Sequence, residues 1–388
     1  MRIVYVIDSL ASKGGAERIL SDKMNYMTTH YGYEVYVITC YQDIKTMPNV
    51  YYLSDKVKQV NLNIPYYSHY KYGYPKRLWV KWQFHRQLCK QLKQTVQRID
   101  PDILIGLGYF QADVVTGIPC RAKKIVESHE ARVFTMSNHG LSRSLLSRLF
   151  MRFYKTRYFR TVERQADVMV TLTKGDAKEW RNAKRVEVIP NFTVMPMSHT
   201  SNCESKRVIA VGRLEWQKGY DRMIDVWAMV EKRHPDWSLD IFGSGTLETE
   251  LNKQIKQLSL HNIKINSFTP NISEEYVESS IFIMTSRFEG FSLVLLEAMQ
   301  AGLPCVTFDC PFGPSDVVID GGNGFLVPDG DVPLFAEKLC VLISDPSMIK
   351  RFSKSSSEQI KRFKVDEVMK LWKKLFEELL LTGKSSEP

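Results

Sequence analysis

Residues 281–308 read IFIMTSRFEGFSLVLLEAMQAGLPCVTF, and this stretch decides the fold class. Its apolar start predicts a buried strand over Ile281–Met284, followed by a polar loop. The next residues predict a helix from about Ser292, which Gly302 and Pro304 end before another strand. The stretch therefore predicts a βαβ unit, which is the building block of a parallel sheet.

Two carboxylates lie near the carboxyl end of the first predicted strand. Glu289 is in the loop after the strand, and Glu297 is inside the helix. In open α/β sheets, ligands bind beyond the carboxyl ends of the strands, close to where helices begin. Both acids are therefore candidate acceptors of hydrogen bonds from the hydroxyls of a sugar-bearing ligand. The alternative is a loop charge and a helix charge that are solvated.

The spacing Glu-x7-Glu, followed by Ala-Met-x-Ala-Gly-x-Pro, resembles the signature of retaining glycosyltransferases of family four. The resemblance implies an α/β protein of the GT-B class, with two Rossmann-like doubly wound parallel-sheet domains facing a central cleft. In the family pattern the first acid contacts the transferred sugar and the second holds the nucleotide ribose. These roles fall on Glu289 and Glu297. The same segment adds four substrate-binding candidates, which are Gly290, Phe291, Ser292 and Leu293.

The rest of the chain repeats the alternation of strands and helices in two sets. A length of 388 residues favours two domains, each large enough for its own core. The predicted strands of the first set are Arg2–Ile7, Glu34–Thr39, Asp102–Gly106, Lys124–Glu127, Ala166–Thr171 and Arg185–Val188. Those of the second set are Arg207–Val211, Ser238–Phe242, Ile263–Ile265, Ile281–Met284, Pro304–Phe308 and Phe325–Val327. Each set indicates a parallel sheet with helices on both faces.

Domain boundaries are expected where the two sets meet. We predict an acceptor-side Rossmann-like domain over residues 1–192 and a nucleotide-sugar-binding Rossmann-like domain over residues 193–365. The polar stretch Ser198–Lys206 predicts a linker. In the resembling fold the last helix, residues 366–388 here, crosses back to the first domain.

The loop after the first strand contains Gly14 and Gly15 and opens a predicted helix. Glycines let the backbone approach a ligand closely, and a helix amino terminus has partial positive charge that suits phosphate. The string Gly-Gly-Ala-Glu looks like a loop of family four enzymes that lies beside the donor diphosphate and the acceptor. Gly14 and Gly15 are therefore predicted to bind substrate, and a tight turn with good packing is the alternative.

A second loop, GRLEWQKG at residues 212–219, follows the first strand of the second set. Fixed cations stabilise the negative charge that a leaving nucleoside diphosphate gains as the glycosidic bond breaks. Arg213 can bind two phosphate oxygens, and Lys218 adds a point charge. The pattern is similar to the diphosphate clamp of the family. We therefore predict that Arg213 and Lys218 are catalytic and that Gly212 binds substrate, with solvated surface charge as the alternative.

A third glycine-containing turn, FGSGTLE at residues 242–248, superficially resembles a dinucleotide-binding fingerprint. Glu248 replaces the third glycine, which weakens that interpretation. In the resembling family this turn borders the nucleotide, so Gly243 is a substrate-binding candidate.

His129 follows a predicted strand of the first set. Its position matches a cleft histidine of related glycosyltransferases that touches the donor sugar or the acceptor, so we predict that it is catalytic. A structural histidine is the alternative, because a lone histidine is more often structural. Glu130 and Asp8 are further candidates for ordering the acceptor hydroxyl.

Positive charge is concentrated in the first half of the chain. Residues 1–192 contain 31 Lys and Arg against 16 Asp and Glu, whereas residues 193–388 contain 22 against 27. Tyr66–Arg98 has eight basic residues and no acid, with eight aromatic residues among them. Leu141–Arg164 adds seven basic residues, opposed only by Glu163.

A basic, aromatic-rich surface can meet anionic lipid, nucleic acid or an acidic glycan, and composition does not choose among them. Core helices with a solvated basic face are the plain alternative. We predict peripheral docking on an anionic membrane through the first domain, because many glycosyltransferases resembling this chain elongate lipid-linked acceptors. Nucleic acid is not an expected partner.

The sequence also predicts the compartment. No apolar stretch reaches the roughly 18 residues needed to span a bilayer. The apolar run at the amino terminus is too short for a signal peptide, and seven widely spaced cysteines indicate free thiols. We expect a cytoplasmic protein that is peripheral on the inner face of the cell membrane.

The resemblance implies transfer of a hexosyl group from a nucleoside diphosphate sugar to a glycan or lipid-linked glycan in surface polysaccharide synthesis. UDP-hexose or UDP-N-acetylhexosamine is the leading donor, and front-face attack would retain the anomeric configuration. Arg213 and Lys218 would supply the charge that a metal supplies in other transferases, so neither a metal nor another cofactor is expected. A non-catalytic glycan- or lipid-binding protein on the same scaffold and a UDP-sugar 2-epimerase are the alternatives.

Overall fold

The computed structural model describes residues 1–12, 14–42, 45–108, 112–129, 131–132 and 145–384. The chain divides into two compact units. Unit 1 contains Met1–Leu172, Asp176–Ile189 and Met369–Pro388, and unit 2 contains Thr173–Gly175 and Pro190–Val368. The candidate Glu130 and the first part of the basic stretch Leu141–Arg164 lie outside the described residues.

Unit 1 is built on a sheet of seven parallel strands. The strands are β1 (Arg2–Ile7), β2 (Glu34–Thr39), β3 (Lys58–Asn61), β4 (Ile103–Leu107), β5 (Lys123–Ser128), β6 (Val168–Thr171) and β7 (Val186–Val188). Their order in the sheet is β3-β2-β1-β4-β5-β6-β7. The helices between them are α1 (Gly15–His30), α2 (Lys76–Ile99), α3 (Ala112–Gly117), α4 (Leu145–Gln165) and α5 (Lys174–Ala177), with a 3-10 helix at Tyr66–Lys71.

Unit 2 is built on a sheet of six parallel strands, β8 (Arg207–Val211), β9 (Ser238–Phe242), β10 (Ile263–Asn266), β11 (Ile281–Met284), β12 (Cys305–Asp309) and β13 (Gly324–Pro328). Their order is β10-β9-β8-β11-β12-β13. Its helices are α6 (Tyr220–Glu231), α7 (Glu248–Gln257), α8 (Ile272–Val277), α9 (Leu293–Gln300), α10 (Pro314–Val317), α11 (Val332–Ser344) and α12 (Pro346–Gln359), with 3-10 helices at Trp216–Lys218 and Ile360–Phe363. The last helix of the chain, α13 (Val365–Lys384), begins in unit 2 and continues in unit 1. Two parallel sheets with alternating helices confirm the predicted α/β class.

Burial explains which strands the sequence predicts. The side chains of β4 and β11 are buried along their whole length. Strands that are covered on both faces read as continuous apolar runs, which are easy to recognise. The edge strand β3 was missed, because its sequence KQVN has little apolar character and its residues are exposed or half-buried. An edge strand of this kind needs only one neighbour and tolerates polar residues.

The order of the strands reverses once in each sheet. In unit 1 the reversal lies between β1 and β4, where Ile3 is paired with Ile103. In unit 2 it lies between β8 and β11, where Val208 is paired with Ile281. At such a switch point the following helices diverge to opposite faces of the sheet and leave a crevice for a ligand.

The predicted linker Ser198–Lys206 is not a linker. The Ser201 amide donates to the carbonyl of Ala301 at 2.8 Å, and the Ser201 hydroxyl donates to the carbonyl of Ser279 at 2.5 Å. Cys203 is also buried. The prediction was wrong because serine hydroxyls can satisfy buried carbonyl groups, so a polar composition does not require solvent.

The last helix, α13, belongs to unit 1 from Met369 onward. Its buried side chains recur at helical spacing, namely Val368, Met369, Trp372, Leu375, Phe376 and Leu379. The Arg185 guanidinium contacts the Glu378 carboxylate at 2.5 Å on the half-buried border of this helix. The amphipathic pattern therefore matches an apolar side that is buried.

Gly324 lies where β13 begins, opposite Cys305 of β12. A Cβ atom at this position would lie 1.9 Å from the carbonyl oxygen of Cys305. No side chain could move aside to relieve this contact, because the obstacle is backbone. The close approach of the two strands therefore depends on glycine.

We expect Gly324→Ala to lower the free energy of unfolding by about 2 kcal/mol or more, because the two strands must separate. Urea unfolding followed by tryptophan fluorescence would measure this change. Gly117→Ala is the control, because a Cβ at Gly117 meets no atom within 4 Å. Similar losses of unfolding free energy for the two variants would contradict the conclusion that the strand contact at position 324 requires glycine.

Candidate active site

Two loops that contain the predicted acids and cations leave the strands at the switch point of unit 2. Strand β8 continues into residues 212–219, and β11 continues into residues 285–292. Because β8 and β11 are parallel neighbours, both loops leave the same edge of the sheet. The structure thus brings the two predicted parts of the donor site together in one unit.

Hydrogen bonds hold the two loops against each other. The Arg287 amide donates to the carbonyl of Gln217 at 2.8 Å, and the Thr285 hydroxyl donates to the carbonyl of Gly219 at 2.8 Å. The Arg287 guanidinium also forms a bidentate pair with Asp221, at 2.8 and 2.5 Å. Gly219 has a φ of 65°, and a Cβ there would lie 2.2 Å from the carbonyl oxygen of Thr285. This contact explains why a glycine ends the first loop.

Lys218 and Glu289 form an ion pair at the centre of this arrangement. The Lys218 Nζ lies 2.7 Å from Oε1 of Glu289, and the two side chains are only 16% and 6% exposed. The sequence predicted separate roles for them, a phosphate cation and a sugar-binding acid. In this structure each neutralises the other, so a ligand that binds here has to offer partners to both.

Arg213 differs from Lys218 in its surroundings. Arg213 is exposed, and only its backbone carbonyl is bonded, by the Glu215 amide at 2.8 Å, whereas its guanidinium forms no hydrogen bond or ion pair with any residue that the structure describes. Its neighbour Glu215 accepts hydrogen bonds from the Thr246 amide at 3.1 Å and the Thr246 hydroxyl at 2.8 Å. The guanidinium is therefore accessible to an anion from solvent.

Gly243 has a packing role that the sequence did not reveal. A Cβ atom there would lie 1.9 Å from the carbonyl oxygen of Gly212. The adjoining turn is bound to the first loop, because the Leu214 amide donates to the carbonyl of Ser244 at 2.9 Å. Close backbone packing thus accounts for this glycine, whether or not it also borders a nucleotide.

Glu297 is 8% exposed and lies within α9. The hydroxyl of Tyr276, a fully buried residue of α8, donates to its Oε2 at 3.3 Å. Burial raises the pKa of Tyr276 well above its usual range, and the charge of Glu297 adds to the shift. Tyr276 therefore remains a donor and orients the carboxylate. No pattern in the sequence identifies Tyr276 as the partner of Glu297.

The remaining candidates of this segment surround the start of α9. The ring of Phe291 packs against Phe363 with a centroid distance of 6.0 Å, and the Ser292 hydroxyl contacts the Met284 sulfur at 3.2 Å. Both side chains are buried, so any ligand contact from them would come from the backbone. Ser292 is the N-cap but its side chain does not cap the helix. Backbone donors at the start of α9, near Gly290 and Leu293, suit an anion.

In unit 1, Gly14 and Gly15 lie at the start of α1. Gly14 is the N-cap, with an extended backbone and no side-chain cap. The Ser12 hydroxyl donates to the Glu17 carboxylate beside this turn. The predicted glycine loop thus opens a helix of 16 residues, as the sequence indicated.

His129 follows β5 and lies beside a buried ion pair that the sequence analysis missed. Lys23 of α1 contacts both carboxylate oxygens of Glu127, at 2.5 and 2.6 Å. The Nε2 atom of His129 lies 3.2 Å from Oε1 of the same carboxylate. Burial lowers the pKa of Lys23. Burial by itself raises the pKa of Glu127, but Lys23 and His129 lower it to about 2.

One signal in the sequence could have located Lys23. It lies between Leu20, Met24 and Met27, which form the buried face of α1. A lysine at such a position requires a buried acid, because an unpaired ammonium is strongly disfavoured in a core. The sequence does not show which acid pairs with Lys23, since Glu127 is 104 residues away.

Similarity to known proteins extends over both units of the chain. Residues 193–359 match the family model described as Glycosyl transferases group 1. An uncharacterized glycosyltransferase of Haemophilus influenzae is 28% identical, over 96% of this chain and 99% of its own length. The amylovoran biosynthesis glycosyltransferase of Erwinia amylovora is 33% identical, over 53% of this chain and 61% of its own length.

Among solved structures, the chain is similar to S. aureus TarM, in a variant solved with fondaparinux, alpha-GlcNAc-glycerol and UDP. The TM-score is 0.72 at 15% identity, over 97% of this chain and 99% of that chain. This likeness confirms the predicted GT-B fold. The family model and the relatives together support a GT-B glycosyltransferase.

We expect Lys218→Met to lower the free energy of unfolding by about 2 kcal/mol, because Glu289 would remain buried without its cation. Lys206→Met is the matched control, since the Lys206–Asp236 pair is 61% and 54% exposed. Its loss should change stability by less than about 1 kcal/mol. Urea unfolding of both variants measures the two changes in unfolding free energy. Equal changes would contradict a stabilising role for the buried Lys218–Glu289 pair.

Proposed function

We propose that the protein transfers a hexosyl group from a nucleoside diphosphate sugar to a glycan or lipid-linked glycan, with retention at the anomeric carbon. The main observation is the Lys218–Glu289 pair, 2.7 Å apart, in the loops at the switch point of unit 2. UDP is the proposed nucleotide, because the TarM crystal contains UDP. Polysaccharide synthesis is the proposed process, because the Erwinia amylovora relative is named for it.

The donor satisfies both members of the ion pair. A hydroxyl of the transferred sugar donates to Glu289, while Lys218 turns to a phosphate oxygen of the diphosphate. Arg213 and the backbone donors at the start of α9 bind the same diphosphate. Glu297, oriented by Tyr276, accepts hydrogen bonds from the ribose hydroxyls.

The chemical step exchanges one bond at the anomeric carbon. The bond to the diphosphate oxygen breaks, and the acceptor oxygen bonds to the same face of the carbon. The acceptor proton passes to a phosphate oxygen of the leaving nucleotide. Arg213 and Lys218 stabilise the charge that grows on this leaving group. Because these two side chains supply the positive charge that balances the leaving group, we propose that no divalent ion is required.

Unit 1 is proposed to provide the acceptor side. His129 binds a hydroxyl of the donor sugar or the acceptor, and the start of α1 at Gly14 and Gly15 supplies backbone donors. An epimerase is not favoured, because the relatives from Haemophilus influenzae and Erwinia amylovora are both named glycosyltransferases.

A donor panel tests the proposal. The protein is incubated with UDP-hexoses and UDP-N-acetylhexosamines, in EDTA, with and without glycan acceptors. We expect release of UDP that depends on the acceptor, and NMR of the product should show the anomeric configuration of the donor sugar. A sugar altered at C2 would indicate an epimerase. Binding of UDP-sugars without turnover under all conditions would indicate a non-catalytic binding protein.

We expect Arg213→Ala to lower kcat about 10²-fold with little change in KM for the donor, because the clamp acts most strongly on the leaving group. Arg233→Ala is the matched control, since Arg233 is another exposed arginine of unit 2. Steady-state kinetics with the donor identified by the panel measures both variants. Unchanged turnover of Arg213→Ala would contradict its role.

We also propose that unit 1 docks on an anionic membrane. The face of α4 formed by Arg152, Phe153, Arg157, Arg160 and Arg164, with Leu149 beside it, is exposed and lines an open groove. On α2, Trp79 and Trp82 are 57% and 53% exposed. Large apolar groups beside arginines match the interface between acyl chains and anionic head groups. No helix among the described residues is long and apolar enough to cross a bilayer.

Vesicle sedimentation tests this docking. We expect binding to vesicles with anionic lipid, little binding to neutral vesicles, and weakening by salt. The triple change Arg152→Gln, Arg157→Gln and Arg160→Gln should weaken binding about 10²-fold, at about 1 kcal/mol for each cation. The control changes three exposed cations of unit 2 to Gln, namely Arg233, Lys253 and Lys256. Equal binding by the two variants would contradict docking through α4.

A further inference from the structure

We infer that Glu127, held by Lys23 and Trp372, fixes the tautomer and the orientation of the His129 ring. These three residues are then positioning residues for the reaction. The inference rests on the proposed function only in giving His129 a sugar hydroxyl to bind. The family model matches residues 193–359 only, and no motif in the sequence gives a role to Lys23, Glu127 or Trp372.

The backbone places the two groups side by side. Glu127 is the fifth residue of β5, and His129 is the first residue after the strand. Alternate residues of a strand point to the same face, so both side chains point towards α1 and Lys23. The Nε2 atom of His129 is buried and lies 3.2 Å from Oε1 of Glu127, without the angle of a full hydrogen bond. Such contacts are often poorly aligned before substrate binds.

Lys23 ensures that Glu127 acts only as an acceptor. Its ammonium lies within 2.6 Å of both carboxylate oxygens, and both side chains are almost fully buried. A carboxylate neutralised in this way stays ionised and has no proton to donate. The nitrogen of His129 that faces it must therefore bear the hydrogen. In the neutral ring, Nδ1 then keeps its lone pair and can accept a hydrogen bond from a hydroxyl.

The C-terminal helix completes the cluster. The Lys23 Nζ lies 4.1 Å from the centre of the Trp372 ring, and Trp372 is 2% exposed. A ring face attracts a cation and restricts where the ammonium can move. Trp372 therefore keeps Lys23 on Glu127, although it belongs to α13, far along the chain.

The other titratable groups near the cluster do not compete for His129. Tyr5 of β1 lies 5.3 Å from the Lys23 Nζ, measured to the ring centre, and its hydroxyl donates to the Met27 sulfur. Asp176 is bonded to Ser128, the residue of β5 that points to the opposite face, at 3.1 Å. Among the described residues, the only acid in contact with His129 is Glu127.

Stability alone does not explain a buried ion pair at this place. Replacing such a pair by apolar residues of similar size is often neutral or stabilising. Apolar residues could therefore fill the space between α1, β5 and α13 without a charge. Glu127, however, also contacts His129 at the carboxyl edge of the sheet, and an apolar residue could not accept a hydrogen bond from that ring.

The direct test is the tautomer of His129, read from the ¹⁵N shifts of histidine-labelled full-length protein. His129→Asn identifies the signal by its loss. We expect the Nε2–H form in the unchanged protein. Glu127→Gln should shift the signal towards the Nδ1–H form, because an amide can present a donor to Nε2. In the transfer assay the same variant should lose about tenfold in kcat, the scale of one hydrogen bond, with little change in donor KM.

Two further variants separate positioning from folding. Lys23→Met combined with Glu127→Leu removes both charges and keeps the core apolar, and it should lose the fixed tautomer while remaining folded. Glu163→Gln is the control, because Glu163 is a fully buried acid of unit 1 that contacts Arg132 at 2.5 Å. It should leave the His129 signal and kcat unchanged.

The outcomes distinguish this inference from the proposed function. If no donor is turned over, the proposed function fails, while the His129 signal still decides the inference. An unchanged His129 signal in both Glu127 variants overturns the inference, even in an active enzyme. An altered signal with unchanged kcat also overturns it, because the ring would then not serve the reaction.

Discussion

The parallel pairing of β8 with β11 is the constraint on which the candidate donor site depends. The two strands are distant in sequence, and their pairing places the loops after them at one edge of the sheet. Only then do Lys218 and Glu289 come within 2.7 Å. The bonds from Arg287 to Gln217 and Asp221 hold the loops in that relation. A preorganised site of this kind spends less of its binding energy on ordering loops.

Each unit contains an ion pair close to the carboxyl ends of its strands, Lys218–Glu289 in unit 2 and Lys23–Glu127 in unit 1. In unit 2 the pair is partly accessible, so a ligand can replace each partner with a phosphate or a hydroxyl. In unit 1 the Lys23–Glu127 pair is almost fully buried, and a ligand cannot replace it. The first arrangement suits binding, whereas the second suits the positioning of a neighbour. This difference in burial is the reason for assigning different roles to two similar ion pairs.

Much of the fold could be predicted from the sequence. Continuous apolar runs identified the buried strands of both sheets, and glycines identified the loops after β1, β8 and β9. The predictions failed where local composition was misleading. Strand β3 is polar because it lies at an edge, and the serine-rich segment around Ser201 is packed because its hydroxyls are satisfied by carbonyl groups. Neither feature has a local signature that distinguishes it from a loop.

Local patterns in the sequence specify the βαβ units, the spacing of Glu289 and Glu297, and the cationic loop with Arg213 and Lys218. Which charges meet depends on the folded chain, as shown by the partners of Lys23 and by the contact of Tyr276 with Glu297. The difference arises because apolar periodicity is a local property of the chain. The partner of a buried charge is instead chosen by strand order and helix packing, over separations as long as 104 residues.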